Sequence, residues 1–186
     1  MGGRYHPTAM LYQILTLLLE VVTGVVGGAC LLRFYMQTQR VGFANPVGRL
    51  ATGLSDWLVL PLRRVLPSFG RIDTASVVSV LAVALAQIGV LGFIAGGGLP
   101  DALTWLLEAG REVLRSALWL YFWAIFIYAL LSMIAPGQDS PLLDVLEALC
   151  EPVLSRIRRA MPSLGGLDLS PIWAGIIIQV LLILLR

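Results

Sequence analysis

The chain contains one segment twice, at a constant separation of 95 residues. Residues 46–73 return without a gap as residues 141–168, and eight of the 28 aligned positions are identical. A repeated segment indicates a repeated structural unit and constrains the fold before any other pattern does. The 186 residues therefore divide into two similar halves, each with one copy of the same element.

The composition places both halves in a membrane. Apolar residues make up 58% of the chain and charged residues 13%, with a mean hydropathy of +0.87. Soluble proteins average roughly 45–50% apolar and 25% charged residues. Four stretches are long enough to cross a hydrocarbon core, which takes ~20 mostly apolar residues. The sequence predicts an all-α membrane protein with four transmembrane helices, at about residues 8–32, 74–95, 113–135 and 169–185.

The spans and the repeated segments alternate in a regular order. The predicted first repeat covers residues 1–96 and the second covers residues 113–186, with a connection at 97–112. Each repeat consists of a span, the repeated segment and a second span. Because each repeat crosses the membrane twice, the second starts on the same side as the first, so the two repeats are predicted to be parallel.

The repeated segments are predicted to be amphipathic interfacial helices, at residues 46–66 and 141–161. Their apolar residues recur at steps of three and four, which is the period of a helix. The opposite faces are too charged for hydrocarbon, as expected of a helix in the membrane surface. The alternative is that these helices fill the cytoplasmic ends of the helix bundle. Each carries a basic pair expected to contact lipid headgroups or a partner: Arg63 with Arg64, and Arg158 with Arg159.

A turn follows each of these helices. Proline ends the helix, glycine permits a turn, and aspartate precedes the next helix. These corner residues are predicted to be structural: Pro67, Gly70 and Asp73 in the first half, and Pro162, Gly165 and Asp168 in the second.

The arginines indicate the orientation of the chain. All thirteen cationic residues are arginine, and nine lie in the two loops that carry the repeated segment. Cytoplasmic loops are enriched in arginine and lysine. Both loops are therefore predicted to be cytoplasmic and both termini outside. The net charge of +2 belongs to this signal, so no nucleic-acid partner is inferred.

Four polar side chains fall within predicted spans: Glu20, Gln87, Arg115 and Gln179. Ionisable residues inside a membrane are candidates for function. The offset of 95 pairs Glu20 with Arg115, which predicts an intramembrane ion pair. The alternatives are a purely structural pair, or an arginine that extends to the interface.

Nothing in the sequence has the pattern of an enzyme. The single histidine, His6, lies in the N-terminal tail, and no His-Cys cluster, phosphate-binding loop or nucleophile elbow is present. We expect no catalytic residue, no bound cofactor and no metal site.

The second half resembles the YggT family, also called YlmG in Gram-positive bacteria and plastids. The resemblance rests on Glu151-Pro152-Val153-Leu154, Ile157-Arg158-Arg159 and the run from Met161 to Pro171. The first half resembles the family through Asn45-Pro46, Leu62-Arg63-Arg64, Pro67, Gly70 and Ile72-Asp73, but departs from it at Trp57 and at Thr74-Ala75-Ser76. It implies a bacterial inner-membrane protein that organises or assists membrane partners. Family members are associated with osmotic and ion-stress tolerance, with cell-division genes and, in plastids, with nucleoid distribution and cytochrome maturation.

Two classes of function follow. The first is a scaffold whose paired interfacial helices contact membrane lipids, anionic lipids among them, or an unidentified membrane protein, with a homo-oligomer as a further alternative. The second is a small ion or solute transporter or channel that uses the polar intramembrane residues.

Overall fold

The computed structural model describes residues 7–66, 73–98, 100–134, 140–160 and 168–186, which form six helices and no strand. The all-α prediction is thereby confirmed. The helices in chain order are α1 (Pro7–Thr38), α2 (Pro46–Arg63), α3 (Thr74–Ile94), α4 (Ala102–Ile134), α5 (Pro141–Ala160) and α6 (Ser170–Leu184).

Three of the six helices are long and apolar enough to cross a membrane: Met10–Thr38 within α1, Thr74–Ile94 and Ala102–Ile134. The fourth predicted span corresponds to α6, which has 15 residues. At 1.5 Å per residue α6 is roughly 22 Å long, less than the ~30 Å of a typical hydrocarbon core. The lengths of the described helices thus support three full crossings and one shorter apolar helix.

The third span begins earlier than its hydropathy suggests. The sequence prediction starts it at residue 113, whereas α4 begins at Ala102. Asp101 Oδ2 accepts a hydrogen bond from the Thr104 backbone N–H at 3.0 Å, which caps the first turn. The charged turn that interrupts the apolar pattern stays helical, since Glu108 and Arg111 form an ion pair of 3.0 Å on one exposed face.

The starts of the helices recur at nearly the offset of the sequence repeat. Helices that start at residues 7, 46 and 74 are followed by helices that start at 102, 141 and 170, which are 95, 95 and 96 residues later. Pro46 occupies the start of α2, where Asn45 Oδ1 accepts a hydrogen bond from the Gly48 N–H at 2.7 Å. Pro141 occupies the same place in α5.

The second half packs on the first mainly through α4. This helix contacts α1 and α3 of the first half as well as α5 and α6 of its own. Its residues Val113, Ala117 and Leu120 pack against the core of α1, α2 and α3. A second core joins Ile125 of α4 to Leu154 of α5. Each half therefore has its own core, and α4 belongs to both.

Candidate functional site

The corner between α2 and α3 is closed by an ion pair between Arg63 and Asp73. Arg63 Nη2 lies 2.5 Å from Asp73 Oδ2, and its Nε lies 3.5 Å from Oδ1. Ser76 Oγ donates to the same carboxylate at 2.7 Å. Arg63 also donates to Gln37 Oε1 of α1 at 2.9 Å. Because Asp73 is fully buried, this network holds the ends of α1, α2 and α3 together.

The same ion pair recurs 95 residues later. Arg158 Nε donates to Asp168 Oδ2 at 2.8 Å, and Arg158 Nη1 donates to Glu151 Oε2 at 2.9 Å. Asp168 Oδ1 accepts the backbone N–H of Ser170 at 2.9 Å, at the start of α6. This second corner is more open, with the Asp168 side chain 46% exposed.

Both corner carboxylates are held in their charged form. Burial alone would raise the pKa of Asp73, but hydrogen bonds from Arg63 and Ser76 outweigh it, so the pKa lies below the ordinary value. Burial likewise acts to raise the pKa of Asp168, and hydrogen bonds from Ser170 and Arg158 reverse it. Both ion pairs are therefore charged at neutral pH and hold the adjoining helix ends together.

A further buried charge, which sequence reasoning missed, joins α1 to α2. Arg33 is almost completely buried and forms an ion pair with Asp56 and a hydrogen bond to Ser55 at 3.2 Å. The repeat offset puts Tyr128 at the position of Arg33, so Glu151, the counterpart of Asp56, pairs with Arg158 instead. An arginine at the end of an apolar span, with an acidic residue in the following helix, was the available signal.

The two arginines of each basic pair have different environments. Arg63 and Arg158 are engaged with the corner aspartates, whereas Arg64 and Arg159 are exposed and form no salt bridge within 4.0 Å among the described residues. The remaining corner residues of the sequence prediction, Pro67, Gly70, Pro162 and Gly165, lie outside the described residues.

The apolar stripes of α2 and α5 have different environments. On α2, Leu50 is 62% exposed and Trp57 is 65% exposed, while small residues such as Ala51 face the protein. On α5, Val145 and Leu149 are buried against Met36 at the end of α1. The arrangement of α5 matches the alternative in which this helix fills the end of the bundle. On α2, Leu58 and Leu62 pack against the core of the first half, while Leu50 stays exposed.

A polar cavity of about 450 Å³ lies between α1, α3 and α4. Glu20, Gln87, Glu112 and Arg115 all line it. Glu112 precedes Arg115 by three residues on α4, so the two side chains are neighbours on the helix surface. Within the described part of the chain, however, the salt bridges do not include Glu20 with Arg115. The two residues share the cavity, together with a second carboxylate that the sequence prediction did not include.

The fourth polar residue lies elsewhere. Gln179 lines a separate apolar groove of about 540 Å³ between α4 and α6. The four polar side chains proposed for a transport pathway therefore do not converge on one passage. Among the described residues, no three His, Cys, Asp or Glu side chains come together as metal ligands would.

These features define the class: an all-helical protein with spans apolar enough for a membrane, and corners held by Arg-Asp ion pairs. The chain belongs to the CCB3/YggT family, whose model matches residues 10–94 and 107–186. The resemblance, specific in the second half and partial in the first, is thereby confirmed for both halves.

The chain is similar to several bacterial proteins over most of its length. It is 36% identical to an uncharacterized protein of Pseudomonas aeruginosa over 148 residues, which cover 77% of this chain and 74% of the relative. It is 35% identical to the uncharacterized protein YggT of Escherichia coli K12 over 158 residues, which cover 84% and 81%. No solved structure gives a significant match.

Proposed function

We propose that this protein is a non-enzymatic scaffold of the bacterial inner membrane that binds anionic lipid headgroups on its cytoplasmic side and so positions membrane partners. The proposal includes two parallel repeats, in which α6 completes a fourth crossing, α2 and α5 lie at the interface, and both termini face outside. The arginine distribution and the repeated helix boundaries support this arrangement.

One observation carries the proposal. In each half, the first arginine of the basic pair is neutralised by a corner aspartate, and the second is left exposed at the end of an amphipathic helix. Arg64 and Arg159 occupy equivalent places. Trp57, an exposed aromatic residue on the same helix as Arg63, is of the type that accumulates at membrane interfaces. An ion pair that fixes the end of the helix, next to an exposed arginine with no salt bridge among the described residues, supports headgroup binding.

The test is lipid binding by purified protein in nanodiscs with neutral lipid and a titrated anionic phospholipid. Each cationic side chain near an anionic surface contributes about 1 kcal/mol. The double variant Arg64→Gln/Arg159→Gln should therefore bind the anionic lipid about 30-fold more weakly, since 1.4 kcal/mol corresponds to tenfold. Arg111→Gln is the control and should bind normally. Arg111 is an exposed arginine near the N-terminal end of α4, on the opposite side of the membrane in the proposed orientation. Unchanged binding in the double variant would leave the arginines with a topological role alone.

The transporter alternative receives less support from the geometry. Glu20, Gln87 and Arg115 share a cavity, but Gln179 lies in a different groove. We expect liposomes that contain the wild-type protein to show no greater flux of protons or monovalent cations than liposomes that contain the Glu20→Gln variant. A flux that depends on Glu20 would favour the transporter over the scaffold.

A further inference from the structure

The second half of the molecule has an open apolar groove between α4 and α6. Phe126, Ala129, Leu130, Ile172 and Gly175 line it, within a volume of about 540 Å³. Phe126, Leu130 and Ile172 are all exposed, and in the described chain no other helix contributes to its lining.

The equivalent groove of the first half is filled. The residues 95 positions earlier are Leu31, Phe34 and Tyr35 of α1, and Val77 and Val80 of α3. They enclose a residual space of about 250 Å³ together with four residues of α4 that lie against them: Gly110, Val113, Leu114 and Ala117. Within one chain, α4 therefore covers the α1/α3 groove, whereas no segment of the described chain covers the α4/α6 groove.

The surface that would fill the open groove is also present and uncovered. The counterparts of the four α4 residues are Leu15, Leu18, Leu19 and Val22 of α1. Leu18 is 56% exposed and Val22 is 59% exposed. The first half thus presents an apolar ridge, and the second half presents the matching groove.

A second contact between the two halves, that of α5 with the end of α1, also has exposed counterparts, on α2 and at the end of α4. Val145 and Leu149 of α5 are buried against Met36 of the first half. Their counterparts on α2 are Leu50 and Leu54, which are both exposed, and the counterpart of Met36 is Leu131, at the end of α4. One contact between two molecules would cover the α1 ridge, the α2 stripe and the groove at once.

We propose that a second copy of this chain docks here, with its α1 in the α4/α6 groove and its α2 against the end of α4, as α4 and α5 dock on the first half within one chain. The interface joins unlike surfaces, so the assembly is head-to-tail and closes only as a ring or continues as a chain. Helices associate in membranes through close packing of small residues and through hydrogen bonds. Ala129 and Gly175 in the groove provide the small residues. This proposal is independent of headgroup binding by Arg64 and Arg159.

The test uses cysteine cross-linking in native membranes, in a background with the buried thiols removed by Cys30→Ala and Cys150→Ala. Leu18→Cys and Ile172→Cys are placed on two separately tagged chains, because their counterparts Val113 and Val77 line one cavity. A short bismaleimide should link the two tags. Ile177→Cys, exposed on α6 outside the groove, replaces Ile172→Cys in the control and should give no product. A chain carrying both Leu18→Cys and Ile172→Cys should give a ladder of dimers and larger species.

Other outcomes would overturn the proposal. Absence of a product, or equal products from Ile172→Cys and Ile177→Cys, would mean that lipid covers the groove. Linkage of two Leu18→Cys chains to each other would indicate a symmetric dimer instead.

Gly175→Leu should reduce the Leu18–Ile172 product to the control level by filling the groove. A Cβ at this position would meet only the Phe122 ring, at 3.5 Å, so the fold should tolerate the side chain. Ile177→Leu is the matched control and should leave the product unchanged.

Discussion

Arg63 and Asp73 form a closer and more deeply buried pair than their counterparts in the second half. The carboxylate of Asp73 is fully buried and receives hydrogen bonds from both Arg63 and Ser76. Arg158 divides its guanidinium between Asp168 and Glu151, and all three side chains are substantially exposed. The two ion pairs therefore differ in burial. Substitutions at equivalent positions of the repeat should differ in their effect on the free energy of unfolding.

We expect Arg63→Met to be far more destabilising than Arg158→Met. Removing one partner of a buried pair strands the other charge and typically costs about 3–5 kcal/mol. An exposed pair contributes about 0–1 kcal/mol. Thermal unfolding in detergent, followed by the loss of helix signal, measures the difference. Arg64→Met, at the neighbouring exposed position, is the control and should unfold like the wild type. Equal losses at the two corners would show that the burial of Asp73 is not what makes the first corner critical.

The positions of the helices could be predicted because helix starts and apolar runs are local patterns. Pro46 and Pro141 begin their helices as expected. Hydropathy was a poorer guide to helix ends. Charged Glu108 and Arg111 suggested a boundary near residue 113, but on a helix surface they pair with each other and the helix continues.

The partners of the arginines were not predictable from the pattern, because tandem arginines look alike in sequence. Which of Arg63 and Arg64 faces the corner depends on the rotation of α2, set by the packing of its small residues. The burial of Arg33 likewise depends on how α2 folds back on α1. The different environments of Leu50 and Val145 arise from contacts between the two halves, which a repeat cannot encode.

Stability should fall in acid through the first corner. The pKa of Asp73 is lowered in the folded state, so its contribution is present above the unfolded pKa of about 3.9 and is lost as the pH falls through the folded value. The unfolding temperature of the wild type should therefore drop below about pH 4. Asp73→Asn should be less stable at neutral pH and should show a flatter profile in this range. Parallel profiles for the two proteins would contradict the assignment.

The orientation in the membrane can be tested by labelling. We expect cysteines at Arg49 and Arg156, on α2 and α5, to react with a membrane-impermeant maleimide only in inside-out vesicles. Tags at either terminus should react only in right-side-out cells, because arginine-rich loops remain cytoplasmic. Both positions are exposed, so the label tests sidedness and not burial. A C-terminal tag reached only from the cytoplasm would mean that α6, with 15 residues, does not complete a crossing.

The cavity residues should behave as a coupled group centred on Arg115. Glu20 and Glu112 both line the cavity with this arginine. An unpartnered charge in the centre of a span costs about 2.5–3.5 kcal/mol on insertion scales. Arg115→Gln leaves two carboxylates without a cation, and we expect it to give the largest loss of folded protein, measured by fluorescence-detected size exclusion. Glu20→Gln leaves Arg115 with Glu112 and should lose much less.

The double variant Glu20→Gln/Arg115→Gln should recover part of the yield lost in Arg115→Gln, because one of the two stranded carboxylates has been neutralised. Glu108→Gln/Arg115→Gln is the matched control, since Glu108 lies on the same helix but pairs with exposed Arg111, and it should show no recovery. Coupling is read from the double-mutant cycle. If the losses of Glu20→Gln and Arg115→Gln simply add, the pairing predicted from the offset of 95 is wrong. The carboxylate that Arg115 neutralises would then be Glu112, three residues away on its own helix.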